Sequence, residues 1–145
     1  MFNTLKKRIK NEKGLSLIEL LAVIVIMAII AAIAIPAIGN IINSSRDKGQ
    51  VSDALNIIAG GKLAHIEKGC GTATDGCTGA ILEEFVDGQD VSGVKVKLDG
   101  TDWVIDGYTF NFKTDKFTEI TAPYTENKLK NAIDQEATPA AGDEG

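Results

Sequence analysis

One carboxylate stands inside an otherwise apolar stretch: between Leu15 and Ile38, Glu19 is the only charged residue. A charge there costs on the order of 2.5–3.5 kcal/mol at a bilayer centre and less near its edge, so it is retained where it has a partner. The other residues capable of chemistry are few. His65 is the only histidine, and Cys70 and Cys77 are the only cysteines, with six residues between them in GCGTATDGCTG. One histidine and two cysteines fall short of a tetrahedral zinc set. In an exported setting the cysteines form a disulfide, and two free thiols are the alternative. Closing that eight-residue loop stabilises by roughly 2.5 kcal/mol on chain-entropy grounds. The acidic groups Asp87/Asp90 and Asp99/Asp102 match no defined calcium-ligand spacing and read as solvated turns. With no phosphate-binding glycine loop and no nucleophile–base pair, the chain reads as a non-enzyme that needs no cofactor and no metal.

Charge and hydropathy are both lopsided. Residues 1–14 carry five basic side chains and one acidic one, whereas the remaining 131 carry 10 basic and 19 acidic, a net of −9. Such asymmetry indicates two compartments. An acidic body also argues against direct nucleic-acid binding, which depends on neutralising phosphates. Every residue from Leu20 to Ile35 is apolar. A signal peptide would explain the basic start and the small residues at Ala32-Ile33-Ala34, but the run is longer than a signal core and contains Glu19. A plain anchor would explain the length, since 24 residues from Leu15 to Ile38 span a bilayer with some tilt. The preceding basic residues then place the N-terminus in the cytoplasm.

Neither reading accounts for Gly14-Leu15-Ser16-Leu17-Ile18-Glu19 between a basic leader and the apolar run. In this arrangement the chain resembles the type IV pilin and pseudopilin superfamily. The resemblance covers roughly residues 6–40 and implies several roles. A prepilin peptidase would cut after Gly14, so that Leu15 becomes the mature N-terminus and its amine is methylated. Leu15 is a mild departure, because the family often has Phe there. Glu19 would be the fifth mature residue, pairing with the Leu15 amine of a neighbouring subunit, and Pro36 would loosen the helix. The expected partners are the membrane, the peptidase, an ATPase-driven assembly platform and further copies in a helical filament. The precursor would be a single-pass protein of the cytoplasmic membrane, N-terminus in, and the assembled form extracellular. Rival functions are a competence or type II secretion pseudopilin and an anchored binding module that never polymerises.

The remaining sequence must supply a head. Val51, Leu55, Ile58 and Ile66 follow helical spacing, opposite Arg46, Gln50, Asp53 and Asn56, which predicts an amphipathic helix with one packing face. Lys62 falls within that face, and Gly60-Gly61 weakens it and suggests a bend. Gly69 and Gly71 end the helix, and 79–87 fits a short helix or a loop. From Val94 the period becomes two: Val94, Val96 and Leu98, a turn at Asp99-Gly100, then Trp103-Val104-Ile105, a turn at Asp106-Gly107, and Tyr108, Phe110 and Phe112. The expected class is therefore α+β and pilin-like, a long N-terminal helix with an apolar N-half and an amphipathic C-half packed on a small antiparallel sheet. The expected division is a leader at 1–14, a membrane or filament-core half of the helix at 15–39 and its amphipathic half at 40–68. A sheet-bearing head follows at 69–122, then a largely disordered C-terminal segment at 123–145.

Overall fold

A computed structural model describes the backbone of residues 2–137 and the side chains of residues 16–135. The chain divides into two compact units, Met1–Ile42 and Asn43–Gly145. Helix α1 (Phe2–Lys68) supplies the described part of the first and opens the second. In the first unit the sequence is rich in Ile and Val, which are mediocre helix formers in water. A helix is nevertheless the form that satisfies every backbone group without solvent, as an apolar surrounding demands. Pro36 lies inside it and has no N–H to offer the carbonyl of Ala32. Among the described residues, α1 contains a stretch long and apolar enough to cross a membrane, none of it buried within the chain.

The second unit is built around a four-stranded antiparallel sheet in the order β1-β2-β3-β4: Cys77–Thr78, Lys95–Asp99, Asp102–Asp106 and Tyr124–Thr125. The strand patterning at 94–98 and 103–105 and the turn after Asp99 match β2, β3 and their two-residue connection. Register places Cys77 opposite Val96, Val96 opposite Ile105 and Ile105 opposite Tyr124, so one row crosses all four strands. Three short helices complete the unit: α2 (Gly79–Leu82), α3 (Asp115–Thr118) and α4 (Glu126–Ala137). The core joins Val51, Ala54, Ile57, Ile58 and Ala64 of α1 to Val96, Ile105, Phe117 and Leu129.

Helix α1 ends at Lys68, where Gly69 adopts φ +71° and returns its N–H to the His65 carbonyl. The packing face differs from the one expected. Its centre runs through Asp47, Val51, Ala54, Ile58 and Gly61, while Ile66 is 81% exposed. The cause lies in Gly60 and Gly61, which do not interrupt the helix. Both are buried, and a Cβ on Gly61 would sit 2.5 Å from Val96 Cγ1 and 2.6 Å from Val96 Cβ. A Cβ on Gly60 would collide with Val86 Cγ2. The glycines let the sheet approach the helix backbone, and this rotates the buried face towards them. Gly61→Ala should therefore destabilise the head by about 1–2 kcal/mol, because overpacking outweighs the gain in helix propensity. Gly49, with nothing within 4 Å of its Cβ position, gives the opposite sign. There Ala should stabilise by up to about 1 kcal/mol. Thermal unfolding of the detergent-solubilised chain, followed through Trp103 fluorescence, distinguishes the two.

Two further expectations are corrected. Residues 108–112 pair with no strand, because side chains of α1 take up that backbone, as described below. The C-terminal segment expected to be largely disordered contains β4 and α4 up to Ala137. Leu129, Ala132 and Ile133 sit at helical spacing there, with Leu129 fully buried. The remainder of that expected tail, from residue 138, lies outside the described residues.

Candidate functional site

The residues expected to carry function at the N-terminus lie on the first part of α1. Gly14 and Leu15 fall within the helical backbone, and their side chains lie outside the described set. Glu19 is exposed and, among the described residues, has no ionic partner. The surrounding apolar side chains are exposed as well: Leu17, Ile18, Leu20 and Leu21 are each more than 60% exposed, and the pattern continues to Ile42. A helical stretch that is apolar on every side, its described side chains exposed, has a surface suited to lipid or to other apolar helices.

The second unit holds a polar arrangement that sequence reasoning missed. Asp47 is fully buried. Its carboxylate accepts the Lys113 N–H at 2.9 and 3.0 Å, the Thr114 N–H at 2.7 Å and the Thr114 hydroxyl at 2.6 Å. Three residues on, Gln50 Oε1 accepts the Asn111 N–H at 2.6 Å and Gln50 Nε2 donates to the Asn111 carbonyl at 3.0 Å. Two helix side chains thus take the place of a β-strand neighbour for 111–114, which is why the alternating Tyr108, Phe110 and Phe112 do not form the expected strand. The rings still pack, with Phe110 centred 4.9 Å from Phe112 and 4.7 Å from Tyr124. Asp53, also expected on the solvent side, accepts from Gln89 Nε2 at 2.9 Å. Arg46 and Asn56 of that expected polar face are exposed.

Electrostatics follow from these contacts. Burial pushes the Asp47 carboxyl up, but the Thr114 hydroxyl, the N–H groups of Lys113 and Thr114 and the Lys113 charge outweigh it, holding the group below its ordinary value. Glu126 behaves alike: its partial burial is outweighed by Lys130 at 2.6 Å and Lys62 at 2.5 Å. Lys62, expected as an interruption of the packing face, therefore ties α1 to the first residue of α4.

The two cysteines form a disulfide, Cys70–Cys77, with Cα atoms 4.9 Å apart. Cys77 is fully buried and begins β1. The Gly71 carbonyl inside the loop accepts the Leu98 N–H at 2.9 Å, so the stapled loop is fastened to the sheet. His65 Nδ1 bonds the Cys70 carbonyl, and its ring lies edge-on to Trp103 at 5.4 Å. The histidine thus joins helix end to loop. Among the described residues no three His, Cys, Asp or Glu side chains gather as a metal site. Asp90 accepts the Ser92 N–H and Asp102 its neighbour's, as turn residues do.

Residues 9–35 match the family model of the prokaryotic N-terminal methylation motif, the type IV prepilin-type motif. The match takes in Gly14, Leu15 and Glu19 and stops before Pro36 and the head. No curated protein and no solved structure matches the chain. The motif, followed by a long helix and a small antiparallel sheet, gives a pilin-like α+β arrangement. It supports a type IV pilin- or pseudopilin-like protein of structural type. It also implies processing by a prepilin peptidase and fits a membrane-anchored precursor.

Proposed function

We propose that this chain is a structural subunit of an extracellular type IV pilus-like filament, polymerised through the N-terminal part of α1. The observation that carries this reading is the combination at residues 16–42: apolar side chains exposed on all sides, with one carboxylate, Glu19, that has no ionic partner among the described residues. A lone membrane anchor needs the apolar surface but has no use for the carboxylate. In a bundle of staggered copies the charge gains a partner, the Leu15 amine freed by cleavage after Gly14. Before assembly the precursor sits in the cytoplasmic membrane with its N-terminus inside and its disulfide-stapled head outside. An assembly ATPase and its platform then transfer the apolar helix from lipid to the filament interior. Pro36, lacking a backbone donor, marks where the helix can loosen during that transfer.

Processing and assembly are tested on the same cells. Intact-mass measurement of the cell-derived protein should give a chain beginning at Leu15 with a methylated amine. Electron microscopy of the sheared extracellular fraction should show filaments built from it. A mature start at Ile35, or an uncut chain, removes the basis for the pilin reading. Correct processing without filaments favours an anchored module that does not polymerise.

A further inference from the structure

Basic side chains gather at one level of the head. Segments 43–50 and 111–118 together hold Arg46, Lys48, Lys113 and Lys116 against two acids, Asp47 and Asp115, whereas the rest of 43–145 holds six basic and sixteen acidic side chains. The hydrogen bonds of Asp47 and Gln50 to 111–114 bring the two segments together, and Lys116 follows two residues after the Thr114 that Asp47 holds. The Asp47 carboxylate is buried and taken up by those donors, while Arg46, Lys113 and Lys116 are exposed. A basic collar thus stands out on an acidic head. Its place along the chain matters as much as its charge. The run of exposed apolar side chains on α1 stops at Ile42, four residues before Arg46 and five before Asp47. Five helical residues rise about 7 Å, and the polar layer outside a bilayer's hydrocarbon is about 5–8 Å deep on each side.

We propose that Arg46, Lys113 and Lys116 form a docking surface for the anionic headgroups of the membrane around the precursor, an inference that rests on the membrane-anchored reading and not on the filament. Charge complementarity and position select the occupant together. Lipid phosphates are the anions within reach of a collar that begins where the apolar surface ends, and the long stems of Lys and Arg let their charges settle in that layer. The acidic remainder of the head is repelled by the same surface, so an anionic membrane favours the head with its collar against the lipid. In a zwitterionic lipid each phosphate is balanced by a cation of its own, and this preference disappears. Each Lys or Arg near an anionic leaflet contributes roughly fivefold in favour of the docked state, so three amount to roughly a hundredfold before salt weakens them.

The test uses the full chain in vesicles of phosphatidylcholine, alone or with about one quarter phosphatidylglycerol. A fluorophore is attached at Asn111→Cys, an exposed position beside the collar, with the natural cysteines left in their disulfide. Thr101→Cys, exposed next to the β3 strand whose Trp103 meets His65 near the other end of the head's part of α1, is the reference. A lipid spin-labelled at its headgroup quenches whatever lies at the membrane surface. Quenching at position 111 should be roughly twofold or more stronger in the anionic vesicles, while position 101 shows no difference. About 1 M sodium chloride, with a Debye length of about 3 Å, should abolish the excess. So should Arg46→Gln, Lys113→Gln and Lys116→Gln together, with the head's unfolding temperature unchanged because all three side chains are exposed. Equal quenching in the two lipids overturns the surface, as does an excess that the triple variant retains. An excess that persists in high salt overturns it without recourse to any variant of the collar. Quenching that rises with the number of copies per vesicle at fixed lipid composition overturns it too, because a second copy then meets the collar. If the chain does not float with the vesicles at all, the membrane-anchored reading falls and this surface with it.

Discussion

Replacing Glu19 with Ala is expected to leave membrane insertion intact and to reduce assembled filament by about two orders of magnitude. The two effects separate because the carboxylate plays opposite parts in the two states. In lipid it is a burden: removing it relieves an insertion cost of up to about 2.5–3.5 kcal/mol, so the membrane-held chain should be at least as abundant as before. In the filament it is half of a pair with the incoming Leu15 amine in a water-poor interior. Removing one member there leaves the other charge buried and unpaired, at about 3–5 kcal/mol. Each 1.4 kcal/mol is tenfold in an association constant, so a loss of a hundredfold or more follows for every subunit added. Glu19→Asp keeps the charge and shortens its reach by one methylene, and should fall between. The measurement is the ratio of sheared to membrane-retained protein for each variant. An anchored module with no assembly step predicts one ratio for all three chains. Normal filaments from Glu19→Ala would remove the cross-subunit pairing, while leaving the apolar helix as the means of polymerisation.

The N-terminal motif was legible because its signals are local. Gly14, Glu19 and an unbroken apolar run are close in sequence, and the motif match at residues 9–35 takes them in. The hairpin of β2 and β3 was legible for a similar reason, since alternation around Asp99-Gly100 specifies both strands and their turn. What failed depended on distant partners. Tyr108, Phe110 and Phe112 alternate as a strand does, yet their segment is claimed by Asp47 and Gln50 more than fifty residues earlier. Nothing in the sequence around Asp47 sets it apart from a solvated helix residue. Its role comes from Lys113 and Thr114, whose N–H groups lie against that turn of the helix. The packing face was misplaced on the same grounds. Hydrophobic periodicity cannot recognise glycines as contact residues, and Gly60 and Gly61 are where the sheet comes nearest.

The largest loss of head stability is expected at Asp47. Asp47→Ala removes an acceptor for three donors in a fully buried position, leaving the N–H groups of Lys113 and Thr114 and the Thr114 hydroxyl unsatisfied. Hydrogen bonds to a charged group contribute about 1.5–3 kcal/mol each, and an orphaned buried donor costs about 1–3 kcal/mol. These terms overlap, and a net loss of about 3–4 kcal/mol is expected. That is a large share of the 5–15 kcal/mol that holds a typical domain together. Asp47→Asn retains one acceptor oxygen and should lose about half as much. Acidity separates the charge from the shape. The Asp47 carboxyl titrates below its ordinary value of 3.8 when folded, so the native state favours the ionised form. Its contribution is complete above pH 3.8 and falls as pH drops from there through the folded value. The wild-type head should therefore lose unfolding temperature more steeply than Asp47→Asn as pH is lowered below about 4, Glu126 adding a slope common to both. Trp103 fluorescence of the detergent-solubilised chain follows the transition. Parallel slopes for the two proteins would mean that Asp47 is held by shape rather than by charge. An unchanged unfolding temperature in Asp47→Ala would mean that the 111–114 backbone is fastened to the head by other contacts.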